Sequence, residues 1–225
     1  MKNSKNSFAV NEGALEKSQQ GRFPKHFQFA NVDFILYKNV FSPLFFKGST
    51  VYIPHLPLNP GDDFLDMGCG CGIIGISAYI RYKLNKVVCS DINGHAVQNA
   101  RRNVQLNNLE NGISVVKSDV FKNIPHQKFD LIFWNAPYFD GTATSNSILY
   151  ASMYDANYAH IKRFIIDGQR YLKPNGKIML GFSSDKFPLE HARKLITEIG
   201  FDIDIWYQGK DEFGINQEIL NIVKR

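Results

Sequence analysis

Only three cysteines, Cys69, Cys71 and Cys89, occur in the 225 residues, and they gather at one glycine-rich turn and a neighbouring strand. That scarcity excludes a disulfide-stapled fold. Cys69-x-Cys71 has no second pair and no histidine at ligand spacing, so its thiols read as small side chains filling a tight turn, and no metal is expected. No segment approaches the ~18 uninterrupted apolar residues of a membrane helix, and residues 1–20 contain no apolar run of signal-peptide length. The expectation is a cytoplasmic protein without membrane contact. Runs of one charge sign are absent too: a formal charge of +5 and a pI near 9.0 permit an acidic partner but do not make a basic arm or stripe. There are no internal repeats. His26, His55, His95, His126, His160 and His191 are scattered, and none is assigned a role.

What is present is apolar material, 44% of the chain, enough for one sizeable core. Residues 1–22 read as a mobile polar tail. Residues 23–60, rich in aromatics and punctuated by Pro24, Pro43, Pro54 and Pro57, read as an N-terminal flap of short elements. Residues 61–225 read as the main domain. There, apolar runs at Asp63 to Met67, Lys86 to Asp91, Ile113 to Asp119, Phe129 to Trp134 and Gly176 to Ser183 predict strands. Helical spacing predicts helices at Ile73 to Leu84, His95 to Asn107, Asp155 to Leu172 and Phe187 to Ile199. Two alternating runs, Asp202 to Tyr207 and Glu218 to Val223, predict a closing hairpin. The expected fold is α/β: a Rossmann-like, doubly wound, seven-stranded, mostly parallel sheet with one C-terminal antiparallel hairpin strand.

The first strand runs into Asp66-Met67-Gly68-Cys69-Gly70-Cys71-Gly72, a turn that lets the backbone approach a nucleotide cofactor. Two cofactors compete for it. Gly70 to Gly75 satisfies G-x-G-x-x-G with Asp91 at the distance of an NAD ribose ligand, which is the signature of an NAD(P)-dependent oxidoreductase. Asp66 argues the other way. A carboxylate beside the turn repels a pyrophosphate and suits the cationic amino group and sulfonium of S-adenosylmethionine. Asp91 with Ile92 would then serve the ribose, and Asp119 with Val120 the adenine, Asp119 accepting from its amino group and Phe121 lying beside the ring.

The fourth strand ends in Trp134-Asn135-Ala136-Pro137-Tyr138, with Trp134 read as core. With Phe41-Ser42, the glycine turn, Ser90-Asp91-Ile92-Asn93 and Asn99-Ala100-Arg101-Arg102-Asn103, this segment resembles the "methyltransferase small" family of class I S-adenosylmethionine-dependent enzymes. That family includes ribosomal RNA guanine-N2 methyltransferases and is related to the release-factor glutamine methyltransferases. The likeness covers roughly residue 40 to the C-terminus. The family's segment is Asn- or Asp-Pro-Pro-Tyr; here Ala136 stands for the first proline, keeping the carbonyl while losing the fixed φ. The resemblance implies that the Asn135 side-chain oxygen and the carbonyl of Ala136 grip an amino group, with Pro137 shaping the loop and Tyr138 stacking on the planar acceptor.

Such a site fits an N-methyltransferase. A nitrogen whose lone pair is delocalised must be oriented, and two acceptors on its protons do so. The expected acceptor is a nucleobase in RNA, with a protein glutamine or a small amide, amine or guanidine as the alternative. Phe23, Phe27, Phe29, Phe34, Phe41, Phe45 and Phe46, interleaved with Arg22, Lys25, His26, Lys38 and Lys47, read either as an RNA-stacking surface or as packing of the flap onto the sheet.

Overall fold

In the computed structural model, which describes residues 12–141 and 147–225, the strands with apolar residues on both faces take the centre of a seven-stranded sheet. These are β3 (Asp63–Met67), β4 (Lys86–Asp91) and β6 (Phe129–Asn135); around them lie β5 (Ile113–Lys117), β7 (Leu172–Phe182), β8 (Phe201–Lys210) and β9 (Asn216–Lys224). The order is β5-β4-β3-β6-β7-β9-β8. β3 pairs in parallel with β4 and β6, Leu65 standing opposite Val88 and Ile132, while β9 inserts antiparallel between β7 and β8. The expected sheet and its hairpin are therefore present. Alternation along each strand splits the core into two layers. Phe64, Val87, Cys89, Leu131 and Phe133 face one layer, beneath α3 (Ile73–Tyr82) and α4 (Gly94–Leu106). Leu65, Val88, Ile132, Ile178 and Leu180 face the other, beneath α5 (Ala159–Gly168) and α6 (Leu189–Glu198).

Several boundaries differ from the sequence reading: β7 begins at Leu172 rather than Gly176, β8 runs to Lys210 rather than Tyr207, and two further differences have local causes. The helix expected over Asp155 to Leu172 shrinks to Ala159–Gly168, because Asn157 and Tyr158 adopt φ of 55° and 53°, conformations an α-helix does not accept. The strand expected to reach Asp119 stops at Lys117, since Ser118 turns the chain: its N–H donates to the Asp91 carbonyl and its hydroxyl to the Val120 carbonyl.

The flap is part of the core. β1 (Lys25–Phe29) and β2 (Val32–Leu36) form a hairpin closed by Ala30 and Asn31, both at positive φ, as a two-residue turn matching strand twist requires. Phe34 and Leu36 are buried, and Phe27 stacks on Phe34. α4 holds β2 through Asn99 and Asn103, four residues apart on one face and both fully buried. Asn99 Oδ1 accepts from the Tyr37 N–H at 2.8 Å, and its Nδ2 donates to the Ile35 carbonyl at 2.7 Å. Asn103 Oδ1 accepts from the Ile35 N–H at 2.7 Å, while its Nδ2 reaches the carbonyls of Ile35 and Cys71. One asparagine thus ties the flap to the glycine turn. The short α2 (Gly48–Tyr52) brings fully buried Tyr52 over the sheet.

Of the tail read as mobile, residues 1–11 lie outside the described residues, but residues 12–18 form a helix, α1, that docks on the body. Its Leu15 is fully buried, and Gln19 beyond it clasps the Asn39 N–H and the Val40 carbonyl. A polar segment can dock on one leucine and a few hydrogen bonds, which composition does not reveal.

Candidate active site

Where β3, β4, β5 and β6 end, a cavity of about 630 Å³ opens at the carboxyl edge of the sheet. Ligands of open α/β sheets bind at this edge. One wall is the turn after β3. Gly68, Gly70 and Gly72 all lie at positive φ, and Gly72 starts α3 from the left-handed region. Gly75, packed so closely that a Cβ would come within 2.4 Å of Cys89 Sγ, lets α3 lie against the strands. The last glycine of the dinucleotide-like pattern therefore serves helix packing, which either cofactor's fold needs.

Asp91 ends β4 and organises the turn. Its Oδ2 accepts from the Gly70 N–H at 2.9 Å and its Oδ1 from the Asn93 N–H at 2.8 Å. Burial pushes its carboxyl above the usual range while these N–H groups pull it back. Each oxygen keeps a lone pair that a ribose hydroxyl can use. Ile92 is 38% exposed, and Val120, a β-branched residue held at φ 50°, is buried; both line the cavity as apolar surfaces for a flat ring. A branched residue in the left-handed region stores strain of the kind found at ligand sites.

Asp66 lies elsewhere than the charge argument requires. It is 1% exposed and does not line the cavity; it sits beneath the turn, Oδ2 accepting from the Gly75 N–H at 2.9 Å. Burial pushes its carboxyl up to about 8, so at neutral pH it is a neutral acid holding α3 rather than an anion facing a cofactor. The discrimination against a pyrophosphate thus does not run through Asp66. Its raised pKa bears on stability. The unfolded chain releases this proton near 3.8 and the folded chain near 8, so the folded state binds more protons between them and stability falls as pH rises through that window. Asp66→Asn, which mimics the neutral acid, is expected to remove most of that decline when denaturant midpoints are compared at pH 5 and pH 8. Equal declines in variant and wild type would contradict it.

Asp119 does line the cavity, but Arg163 on α5 donates to both its carboxylate oxygens, at 3.0 and 3.2 Å. Phe121 does not reach the cavity; it is buried, stacked on Tyr171 and Phe164 in the layer beneath α5. The turn at Ser118 rotates position 121 into the core. Cys69 and Cys71 line the cavity at the turn, and all three buried thiols are raised in pKa, with burial pushing that of Cys71 up to about 12.

The end of β6 forms the opposite wall. Asn135 is held at both ends of its amide: Nδ2 donates to Ser49 Oγ at 3.2 Å, and Oδ1 accepts from the Tyr138 hydroxyl at 2.6 Å. Tyr138 sits edge-on to Phe182 at 6.0 Å. Its hydroxyl role was missed from the sequence, which suggested only a stacking ring. Behind it lies a buried polar chain that sequence reading also missed. Tyr52 OH stands 3.4 Å from Tyr138 OH and donates to Gln217 Oε1 at 2.6 Å, with the Phe182 carbonyl at 2.9 Å, and Gln217 Nε2 donates to Asp211. Nothing in the local pattern of residues 52 or 217 distinguishes them from core. Ala136, 4% exposed, and Pro137 complete this wall. Trp134 is both core and wall: it lines the cavity while packing edge-on against Phe164.

The roof combines Phe41, Phe45, Phe46, Ala14 of α1 and the segment 148–154, with Phe41 stacked on Phe46 at 4.5 Å. Of the flap aromatics, Phe41, Phe45 and Phe46 reach the cavity while Phe27, Phe29 and Phe34 pack, and Phe213, between β8 and β9 and 65% exposed, lies at its rim. Among the described residues no group of three His, Cys, Asp or Glu side chains is placed to hold a metal, and no helix is long and apolar enough to cross a membrane.

Comparison with known proteins bears on the family and the fold. A family profile described as "Methyltransferase small domain" matches residues 31–195. A protein of Methanocaldococcus jannaschii described as "Putative protein N5-glutamine methyltransferase" is 32% identical over 174 residues, covering 76% of this chain and 85% of that one. The ribosomal RNA small subunit methyltransferase C of Actinobacillus pleuropneumoniae is 43% identical over 81 residues, 36% of this chain and 24% of its own length. A bifunctional methyltransferase of Rickettsia typhi is 29% identical over 157 residues, 65% of this chain and 30% of its own length. The chain therefore spans under a third of those last two relatives. Among solved structures, a methyltransferase from Pyrococcus furiosus superposes with a TM-score of 0.60 at 19% identity, covering 100% of this chain and 99% of that one, a likeness of fold. With the family profile spanning most of the chain and a relative matched over most of its length, this chain belongs to the methyltransferase small family of S-adenosylmethionine-dependent methyltransferases.

Proposed function

We infer that the chain transfers a methyl group to a planar amino nitrogen, and that this nitrogen belongs to a nucleobase in RNA. One observation carries the transfer chemistry: a single cavity joins the Asp91-organised glycine turn to the Asn135 amide. Bound there, S-adenosylmethionine supplies an electrophilic methyl on a sulfonium. Asp91 and the turn would hold its ribose, Ile92 and Val120 its adenine. Asn135 Oδ1 already accepts from Tyr138 and keeps a second lone pair for a substrate N–H. The Ala136 carbonyl is the second acceptor. Together they turn the nitrogen lone pair out of conjugation and stabilise the positive charge that develops on it. No strong base is needed, because a methylated, cationic nitrogen loses its proton readily.

The base assignment is supported by the exposed rings of Phe45 and Phe213 at the cavity rim, surfaces on which an extruded base can stack, and by the net positive charge. A protein glutamine is the second reading, favoured by the extent of the match to the Methanocaldococcus relative. The nicotinamide alternative falls with the family membership.

The test is transfer of labelled methyl groups from S-adenosylmethionine into host lysate separated into RNA, protein and small molecules, with calorimetric titration of S-adenosylhomocysteine and NAD alongside. The expected results are label in RNA, micromolar S-adenosylhomocysteine binding and no NAD binding. Label confined to protein or small molecules would overturn the nucleobase assignment. NAD binding without S-adenosylhomocysteine binding would overturn the cofactor.

A further inference from the structure

His160, at the start of α5, lines the cavity beside Asp119, and its other ring nitrogen is locked. Asp155, whose side chain is fully buried, places Oδ1 at 2.8 Å from His160 Nδ1 and also accepts from the backbone N–H groups of His160 and Ile161. Burial alone would raise the Asp155 carboxyl, but the His160 ring and these N–H donors hold it below the usual range, so it stays ionised. An ionised acceptor on Nδ1 keeps the proton there, and the neutral ring must then present Nε2 as a bare lone pair. Nε2 stands 3.9 Å from Asp119 Oδ1, whose carboxylate is already engaged by Arg163.

We propose that His160 Nε2, oriented by Asp155, accepts a hydrogen bond from the exocyclic amino group of the cofactor's adenine, sharing with Asp119 the task of reading that group. The inference rests on the cofactor placement given above. An aromatic amino group only donates, since its lone pair is delocalised, so it needs acceptors. Asp119 has spent part of its capacity on Arg163, and Nε2 beside it, when the ring is neutral, supplies what is missing.

The arrangement makes recognition dependent on protonation. The groups facing His160 are Asp155 on the preceding turn, Asp119 beyond β5 and Arg163 one turn along α5. The hydrogen bond to Asp155 raises the imidazole above its ordinary 6.5 despite partial burial, Asp119 adds to this, and Arg163 opposes it. Once protonated, Nε2 becomes a donor directed at Asp119. It then withdraws one acceptor and meets the amino group donor to donor.

The experiment is calorimetric titration of the whole protein with S-adenosylhomocysteine and with S-inosylhomocysteine, whose 6-oxo group accepts where the amino group donates. Wild type, His160→Phe and His160→Gln are compared at pH 8 and pH 5.5. Wild type is expected to prefer the adenosyl ligand at pH 8 by roughly tenfold more than His160→Phe does, about one hydrogen bond, and to lose that extra preference at pH 5.5. His160→Phe is expected to keep only the part of the preference that Asp119 supplies, the same at both pH values. His160→Gln, whose amide carbonyl can accept and does not titrate, is expected to retain a preference that does not change with pH. Measuring the ratio of two ligands cancels any general loss of folding or of Asp91 contacts. An unchanged preference in His160→Phe at pH 8, or the same pH dependence in wild type and His160→Gln, overturns the assignment. Failure of wild type to bind either nucleoside overturns instead the cofactor placement on which it rests.

Discussion

Replacing Asn135 by alanine is expected to lower turnover by roughly 10²–10³-fold or more while leaving the affinity for S-adenosylhomocysteine within about threefold of wild type. The asymmetry follows from the geometry. Asn135 is tied to Ser49 and Tyr138, on the wall opposite the glycine turn, whereas the turn is organised by Asp91. Removing the amide takes away the oxygen that would hold the substrate N–H, and it also frees the Tyr138 hydroxyl from its 2.6 Å partner. Folding should survive, because Asn135 is only half-buried at a strand end and Ser49 and Tyr138 can turn to water. Asn135→Asp keeps an acceptor at the same place and should retain more activity than alanine. Single-turnover rates, with binding measured separately by calorimetry, decide the matter. An alanine variant within a few-fold of wild-type rate would remove Asn135 from the mechanism. Equal losses of rate and cofactor affinity would make it a residue of the cofactor pocket instead.

The second large effect is expected at Gly68. Its φ of 63° costs a residue with a Cβ about 1–2 kcal/mol. A Cβ there would also come within 2.4 Å of Trp134 Nε1 and 2.9 Å of Cδ1. The indole has little room to retreat, since its ring is packed edge-on against Phe164 at 5.2 Å. Overpacking of this kind adds about 1–3 kcal/mol. Gly68→Ala is therefore expected to destabilise the protein by about 2–5 kcal/mol and to abolish cofactor binding, because any shift of Trp134 deforms the cavity wall. Gly70→Ala provides the internal comparison. It has a similar φ of 58°, but no atom lies within 4 Å of its added Cβ, so only the backbone strain should register. Chemical denaturation of the two variants separates the effects. Equal destabilisation would show that strain alone governs the turn and that the contact with Trp134 carries no weight.

The two asparagines of α4 show why some features were legible and others were not. Asn99 and Asn103 stand out in the sequence as polar residues within a helical pattern, and four-residue spacing puts them on one face. What they hold, the backbone of β2, more than sixty residues earlier, is invisible to local periodicity. The same limit explains Tyr52 and Gln217. Each is an unremarkable member of a short element, and only the insertion of β9 beside β7 brings Gln217 under Tyr52 and the pair behind Tyr138. His160 was passed over because its partners, Asp155 and Asp119, come from a turn and from the end of a different strand.

By itself, the sequence determined the α/β class, the glycine turn and the placement of Asp91 and Asn135 at strand ends. These are local facts: strands announce themselves by apolar runs, a backbone that must enter the left-handed region calls for glycine, and an acid or amide that ends a strand of a parallel sheet lies at its ligand-binding edge. Tertiary structure decided which of these groups meet. It placed Asp66 under the turn as a buried neutral acid, turned Phe121 into the core and docked residues 12–18 over the cavity. It also tied the hydroxyl of Tyr138 to Asn135. The reason is that burial and partnership depend on the packing of elements far apart in the chain, and a side chain's charge, orientation and chemistry follow from its neighbours rather than from its own identity.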